Sequence, residues 1–183
     1  MASVLIPISD GFEEIEAVSI IDILRRGGVL VTTASLGDEK VTGANGITII
    51  ANNKLEYVDA SEFDMVVLAG GHANAHSLKE SSRVQEILKS FDTAKKPIGA
   101  ICAAPMALAQ AGVLKDRYTC YPSYETEIGI EKFTDAQNVV VDQNITTSRG
   151  PATAICFALE IVRQLVGEDT YKTVKSAVLA DYC

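Results

Sequence analysis

A thiol framed by small residues is the first feature that could do chemistry. Cys102 follows the apolar run Ile98-Gly99-Ala100-Ile101 and leads straight into Ala103-Ala104-Pro105-Met106. A strand that turns at once into a helix needs small neighbours at the bend, and Gly99, Ala100, Ala103 and Ala104 supply them. The pattern parallels the G-x-S-x-G elbow with sulfur in place of oxygen, a turn that projects its nucleophile above a sheet. The partial positive charge of a helix start favours thiolate, so the sequence predicts a Cys102 pKa below the free value of about 8.5. The competing reading is an inert buried cysteine, a common fate of free thiols.

Glu16 is the second feature. At about 100° per residue, Ala17, Ile20, Ile21, Ile23 and Leu24 share one arc of a helix, and Ser19, Asp22, Arg25 and Arg26 share the opposite one. Glu16 falls inside the apolar arc, which directs a carboxyl at the core and should raise its pKa by desolvation. Such a carboxyl can donate a hydrogen bond or shuttle a proton near neutral pH. Glu13 and Glu14 read instead as outward or helix-start acids. Gly70-Gly71, after the apolar run Met65–Ala69, lets a loop approach a ligand and offers backbone N–H groups to an oxyanion. His72 and His76 follow and could assist a thiol, although a satisfied loop histidine is the simpler reading. No histidine stands downstream of Cys102, which argues against a conventional Cys-His hydrolase.

These residues need elements that bring them together. Ser3–Ile8, 29–34, 65–69 and 97–101 read as apolar strands, and 13–26 and 82–94 as helices, with an Ala-rich helix after Cys102. Asn45-Gly46 between Val41 and Ile47–Ile50 signals a hairpin. Short strands are expected at 118–120, 139–141 and 145–147, and helices at 151–166 and 169–179. Apolar strands alternating with helices imply an α/β fold, a mostly parallel sheet covered on both faces, with ligands outside the carboxyl ends of the strands. No linker or repeat divides residues 1–183, so one domain is expected.

Composition narrows the function. A net charge of −8 repels phosphate backbones, so nucleic acid is not an expected partner. The longest uncharged stretch, 97–114, is broken by Gly99, Pro105, Gln110 and Gly112, so it reads as strand plus helix and no membrane span is expected. Four cysteines without a C-x-x-C suggest neither zinc nor disulfides, and they fit a reducing cytosol. Cys156 reads as core packing, Cys183 as exposed, and Cys120 as packing or a modulator of oxidation. Neither phosphate-loop nor dinucleotide fingerprints appear, and no cofactor or metal is expected.

Taken in order, Gly11-Phe12-Glu13-Glu14-Ile15-Glu16, Leu68-Ala69-Gly70-Gly71, Ala100-Ile101-Cys102-Ala103 and Thr147-Ser148-Arg149-Gly150-Pro151 resemble the ThiJ/PfpI superfamily, in its subgroup of parkinsonism-associated deglycases. The resemblance implies a flavodoxin-like three-layer sandwich, usually homodimeric. It makes Cys102 the reactive, oxidisable nucleophile, Glu16 its protonated partner, and Gly71 and Ala103 the pocket amides. It further implies a cytoplasmic glyoxalase or protein deglycase acting on methylglyoxal, glyoxal or their early adducts without glutathione, with a redox sensor or chaperone as the alternative. Two departures stand out. The histidine many members carry before a proline is Tyr121 here, and Asn45 stands where relatives can have an arginine joining Arg26 and Arg149 in an anion patch.

Overall fold

Strand side chains alternate between two apolar layers, and that alternation builds the molecule. The computed structural model describes residues 1–183, the side chain of Ile130 excepted. β1 (Ser3–Ile8) sends Val4 and Ile6 to one core and Leu5 to the other, and β6 (Met65–Leu68) divides Met65 and Val67 from Val66 and Leu68 in the same way. The first core is closed by α1 (Glu14–Arg26) and α6 (Ala154–Leu165). The second is closed by α2 (His72–Glu80), α3 (Ser82–Thr93) and α4 (Pro105–Ala111).

The remaining strands of the sheet are β2 (Leu30–Ser35), β5 (Asn53–Lys54), β7 (Ile98–Ile101), β8 (Val139–Asp142) and β9 (Ile145–Ser148). Their spatial order is β5-β2-β1-β6-β7-β9-β8, parallel throughout except for the antiparallel β8–β9 edge. The expected mostly parallel three-layer α/β sandwich is therefore the observed fold. The hairpin stands apart as β3 (Lys40–Thr42) paired with β4 (Thr48–Ile50), turning through Gly46 at φ 86°. α5 (Glu125–Ile128) and α7 (Glu168–Ala177) complete the chain.

Four expectations need correction. Residues 118–120 form no strand, only an isolated bridge from Tyr118 to Phe133, because the next segment turns into α5 instead of continuing a ladder. α2 was not foreseen, since only Asn74, Ala75 and Leu78 of its nine residues are buried and the apolar period is short. Glu14 does not face outward. It is 4% exposed and accepts from Asn45 N at 2.6 Å, Asn45 Nδ2 at 2.9 Å and Ile47 N at 3.3 Å, so it ties the hairpin to α1. Finally, Cys156 and Cys183 are joined in a disulfide, 5.2 Å between Cα atoms and 27 residues apart in sequence. Cys156 is accordingly half-buried at the α6 surface and not a core residue, and no spacing motif announces a pair that only the α6–α7 turn brings together.

Candidate active site

The carboxyl ends of β1, β6, β7 and β9 converge, and each contributes one part of the site. β7 is followed at once by Cys102, whose φ of 65° lies in the left-handed region that non-glycine residues rarely adopt. Two backbone bonds hold that turn: Cys102 N donates to Ser148 O at 3.0 Å, and Tyr121 N donates to Cys102 O at 2.9 Å. The small residues around the bend are therefore a steric requirement. Gly99 shows a similar constraint within β7, where a Cβ would sit 3.0 Å from Phe157 Cζ.

Glu16 reaches the same point from the first turn of α1. It is fully buried, its Oε2 accepts from Gly70 N at 2.8 Å, Oε1 has no hydrogen-bond partner among the described residues, and the Cys102 thiol lies beside the carboxyl. Glu13 caps the helix by accepting from Glu16 N at 2.8 Å, which fixes the first turn and with it the Glu16 backbone. Gly70 is the joint between the two side chains. A Cβ there would lie 2.5 Å from both Cys102 Cβ and Glu16 Oε2. Gly71, at φ 91°, has no room for a Cβ either, which would meet the Gly11 carbonyl.

Electrostatics divides a proton between the pair. Burial pushes the Glu16 carboxyl up to about 7, against hydrogen bonds from Cys102 and the Gly70 amide. Burial, followed by the Glu16 charge, pushes the Cys102 thiol up to about 12, while the Gly71 and Ala103 amides favour the thiolate. The expected depressed thiol pKa is thus corrected. α4 is short and begins at Pro105, so its dipole is weak at Cys102, and desolvation beside a carboxylate outweighs it. The site is a neutral thiol next to a carboxyl that changes protonation near neutral pH.

The rim holds what sequence reasoning only partly found. Tyr121 is exposed, with its ring against Gly150, where a Cβ would come within 3.0 Å of Cδ2. Tyr124 was missed altogether. Its hydroxyl lies 2.6 Å from His72 Nδ1, and burial, then the Cys102 charge, raises its pKa. The Tyr121-Pro122-Ser123-Tyr124 turn carries no apolar period that could have flagged it. His72 stacks edge-on against His76, 4.5 Å between ring centroids. Arg149 lines a cleft of about 250 Å³ with Tyr121, Asn138, Gly150 and Thr153. Arg26 is not brought there: it pairs with Asp22 at 2.6 Å at the far end of α1. Cys120 is buried near Glu125, its Sγ 4.0 Å from Oε2.

Comparison with known proteins places this geometry in a wider set. The model of the DJ-1/PfpI family matches residues 2–164. The chain is 38% identical to Drosophila melanogaster dj-1beta over 98% of both chains. It is 37% identical to the Caenorhabditis elegans glutathione-independent glyoxalase DJR-1.2, over 98% of this chain and 96% of that protein. The structure of oxidized Toxoplasma gondii DJ-1 superposes with a TM-score of 0.94 at 32% identity, covering 98% of each chain.

Proposed function

The chain belongs to the DJ-1/PfpI family, and on that premise we propose that it is a cysteine-dependent glyoxalase and deglycase of small α-oxoaldehydes, needing neither glutathione nor metal. The observation that carries the reading is the contact of the Cys102 thiol with a carboxyl poised near neutrality, under the Gly71 and Ala103 amides. A glyoxalase among the similar proteins supports the reaction class.

The chemistry follows from the geometry. Cys102 Sγ attacks the aldehyde carbon of methylglyoxal as ionised Glu16 accepts the thiol proton and passes it to the aldehyde oxygen, which becomes the hemithioacetal hydroxyl and leaves Glu16 ionised again. The amides that point at Sγ are placed to donate to that oxygen as charge develops. Glu16 then removes the proton from the former aldehyde carbon and returns it to the adjacent carbon through an enediol, leaving a thioester of lactate. Water cleaves the thioester and regenerates the thiol. An early adduct, a hemiaminal or hemithioacetal, would enter when Cys102 Sγ displaces the amine or thiol from the carbinol carbon, the leaving group taking the proton that Glu16 accepted from Cys102. Arg149 and the Tyr124–His72 pair, at the rim, suit a small polar substrate better than a long apolar one.

A homodimer in the cytoplasm is part of the proposal. Ile15 and Val18 on α1 are exposed beside Ile47 of the hairpin, an apolar strip suited to a second copy. Among the described residues, no helix is long and apolar enough to cross a membrane.

A second reading has its own support. A similar structure is that of an oxidized protein, and protonated Glu16 could donate to a Cys102 sulfinate, which would make the site a peroxide sensor. Metal-free protein incubated with methylglyoxal, with lactate quantified for wild type, Cys102→Ser and Glu16→Gln, separates the two. Turnover lost in both variants supports the enzyme. Lactate that survives Cys102→Ser would overturn it, and absent turnover with selective addition of two oxygens at Cys102 under mild peroxide would favour the sensor.

A further inference from the structure

The disulfide lies outside the Cys102–Glu16 site, and no step proposed above uses it. α7 and the segment that follows it, Val178–Cys183, pack on α6 through Tyr171, Val174, Val178 and fully buried Ala180. Their hydrogen bonds are local. Leu179 N donates to Ser176 O, Ala180 N to Lys175 O and Cys183 N to Ala180 O, at 3.0–3.2 Å, and among the described residues none joins Val178–Cys183 to α6 or the sheet. The turn that returns Cys183 to α6 holds Leu179 at φ 56°, a left-handed conformation on an exposed, non-glycine residue. Beyond apolar packing, the Cys156–Cys183 bond is thus the tie that fixes this arm to the body. Both sulfur-bearing residues are half-buried, whereas the unpaired Cys102 and Cys120 are buried, so this is the pair open to an exchanging thiol.

We infer that Cys156 and Cys183 form a second, reversible redox site that takes small thiols and disulfides of the glutathione class and clasps or releases the α7 arm. Closing the bond removes two electrons and two protons from the two thiols. Glutathione disulfide accepts them, first forming a mixed disulfide and releasing one glutathione thiol, then releasing the second as the other cysteine attacks. Reduction runs the same steps backward. The Cys102–Glu16 site should be indifferent to the clasp, because Glu16, the Gly70–Gly71 loop and Cys102 come from β1–α1, β6–α2 and the β7 bend, and the β9 end that braces Cys102 does so through the Ser148 backbone.

The test equilibrates the full chain in oxidised or reduced glutathione, quenches by alkylation and maps the cysteine peptides, with Cys183→Ser and Cys156→Ala run alongside. The expected result is a Cys156–Cys183 peptide in the oxidised sample and two alkylated thiols in the reduced one. Reduction should lower the melting midpoint by roughly 5–10 °C and speed tryptic cleavage after Lys172 and Lys175 by about tenfold. Both variants should match reduced wild type in either buffer, with the alkylation rate of Cys102 unchanged. Cys156 and Cys183 remaining free thiols in oxidised glutathione would overturn the inference. A bond that forms without altering melting or cleavage would overturn the clasp.

Discussion

Glu16 carries the site's pH dependence, and the sign follows from its burial. Its carboxyl titrates near 7 in the fold against an ordinary 4.5, so the folded chain binds the proton more tightly. The associated stability is fully present below about pH 4.5 and is lost as pH rises through about 7, where ionisation costs about 3 kcal/mol. Glu16→Gln keeps an acceptor for the Gly70 amide and cannot ionise. Thermal melts should therefore show the variant several degrees more stable than wild type at pH 8, with the gap closing toward pH 5; a gap that ignores pH would mean that the carboxyl is not desolvated. Tyr124 sits one step further out. Removing its hydroxyl in Tyr124→Phe breaks the 2.6 Å contact with His72, and steady-state kinetics should show KM for methylglyoxal raised several-fold with kcat within about twofold, as expected when binding common to ground and transition states is lost. A fall in kcat alone would assign Tyr124 to the chemistry instead.

At the scale of elements, the hairpin depends on one acid. Burial alone would raise the Glu14 carboxyl, yet donations from Asn45 and Ile47 hold it below the usual range. Glu14→Ala leaves those amides without their acceptor, a loss of about 1–3 kcal/mol, and hydrogen exchange over residues 41–50 should accelerate while the central strands stay protected. Uniform acceleration would contradict a local role. Glu14 also shows where the sequence stops being legible. The apolar arc of α1 exposed Glu16 as out of place because its neighbours in the helix are aliphatic, a local signal. Glu14 is buried by the hairpin about thirty residues on, a tertiary fact with no local period. The Cys102 bend was legible because steric crowding forces small residues into adjacent positions. Its pKa was not, because it depends on how deeply α1 and the Gly70 loop enclose it. Tyr124 and the Cys156–Cys183 bond were invisible for the same reason: their partners come from elements distant in sequence.

Across the whole molecule, one sheet edge collects the chemistry and one helix offers a contact surface. The parallel strands end at Ile8, Leu68, Ile101 and Ser148, and every residue of the proposed reaction follows one of those ends, as open α/β sheets require of their ligand sites. α1 links the two roles, since it buries Glu16 on one side and exposes Ile15 and Val18 on the other. Sedimentation should give twice the monomer mass for wild type and a shift toward monomer for Val18→Arg; a monomeric wild type at micromolar concentration would refute the dimer. The most direct test of the account is the pH profile of kcat/KM for lactate formation from methylglyoxal. If Glu16 accepts the thiol proton, the rate rises with pH through an inflection near 7, and Glu16→Gln abolishes that inflection together with roughly two or more orders of magnitude of rate. A profile that is flat between pH 5 and 9, or an inflection near 7 that survives in Glu16→Gln, would contradict the assignment of Glu16 as the proton carrier for Cys102.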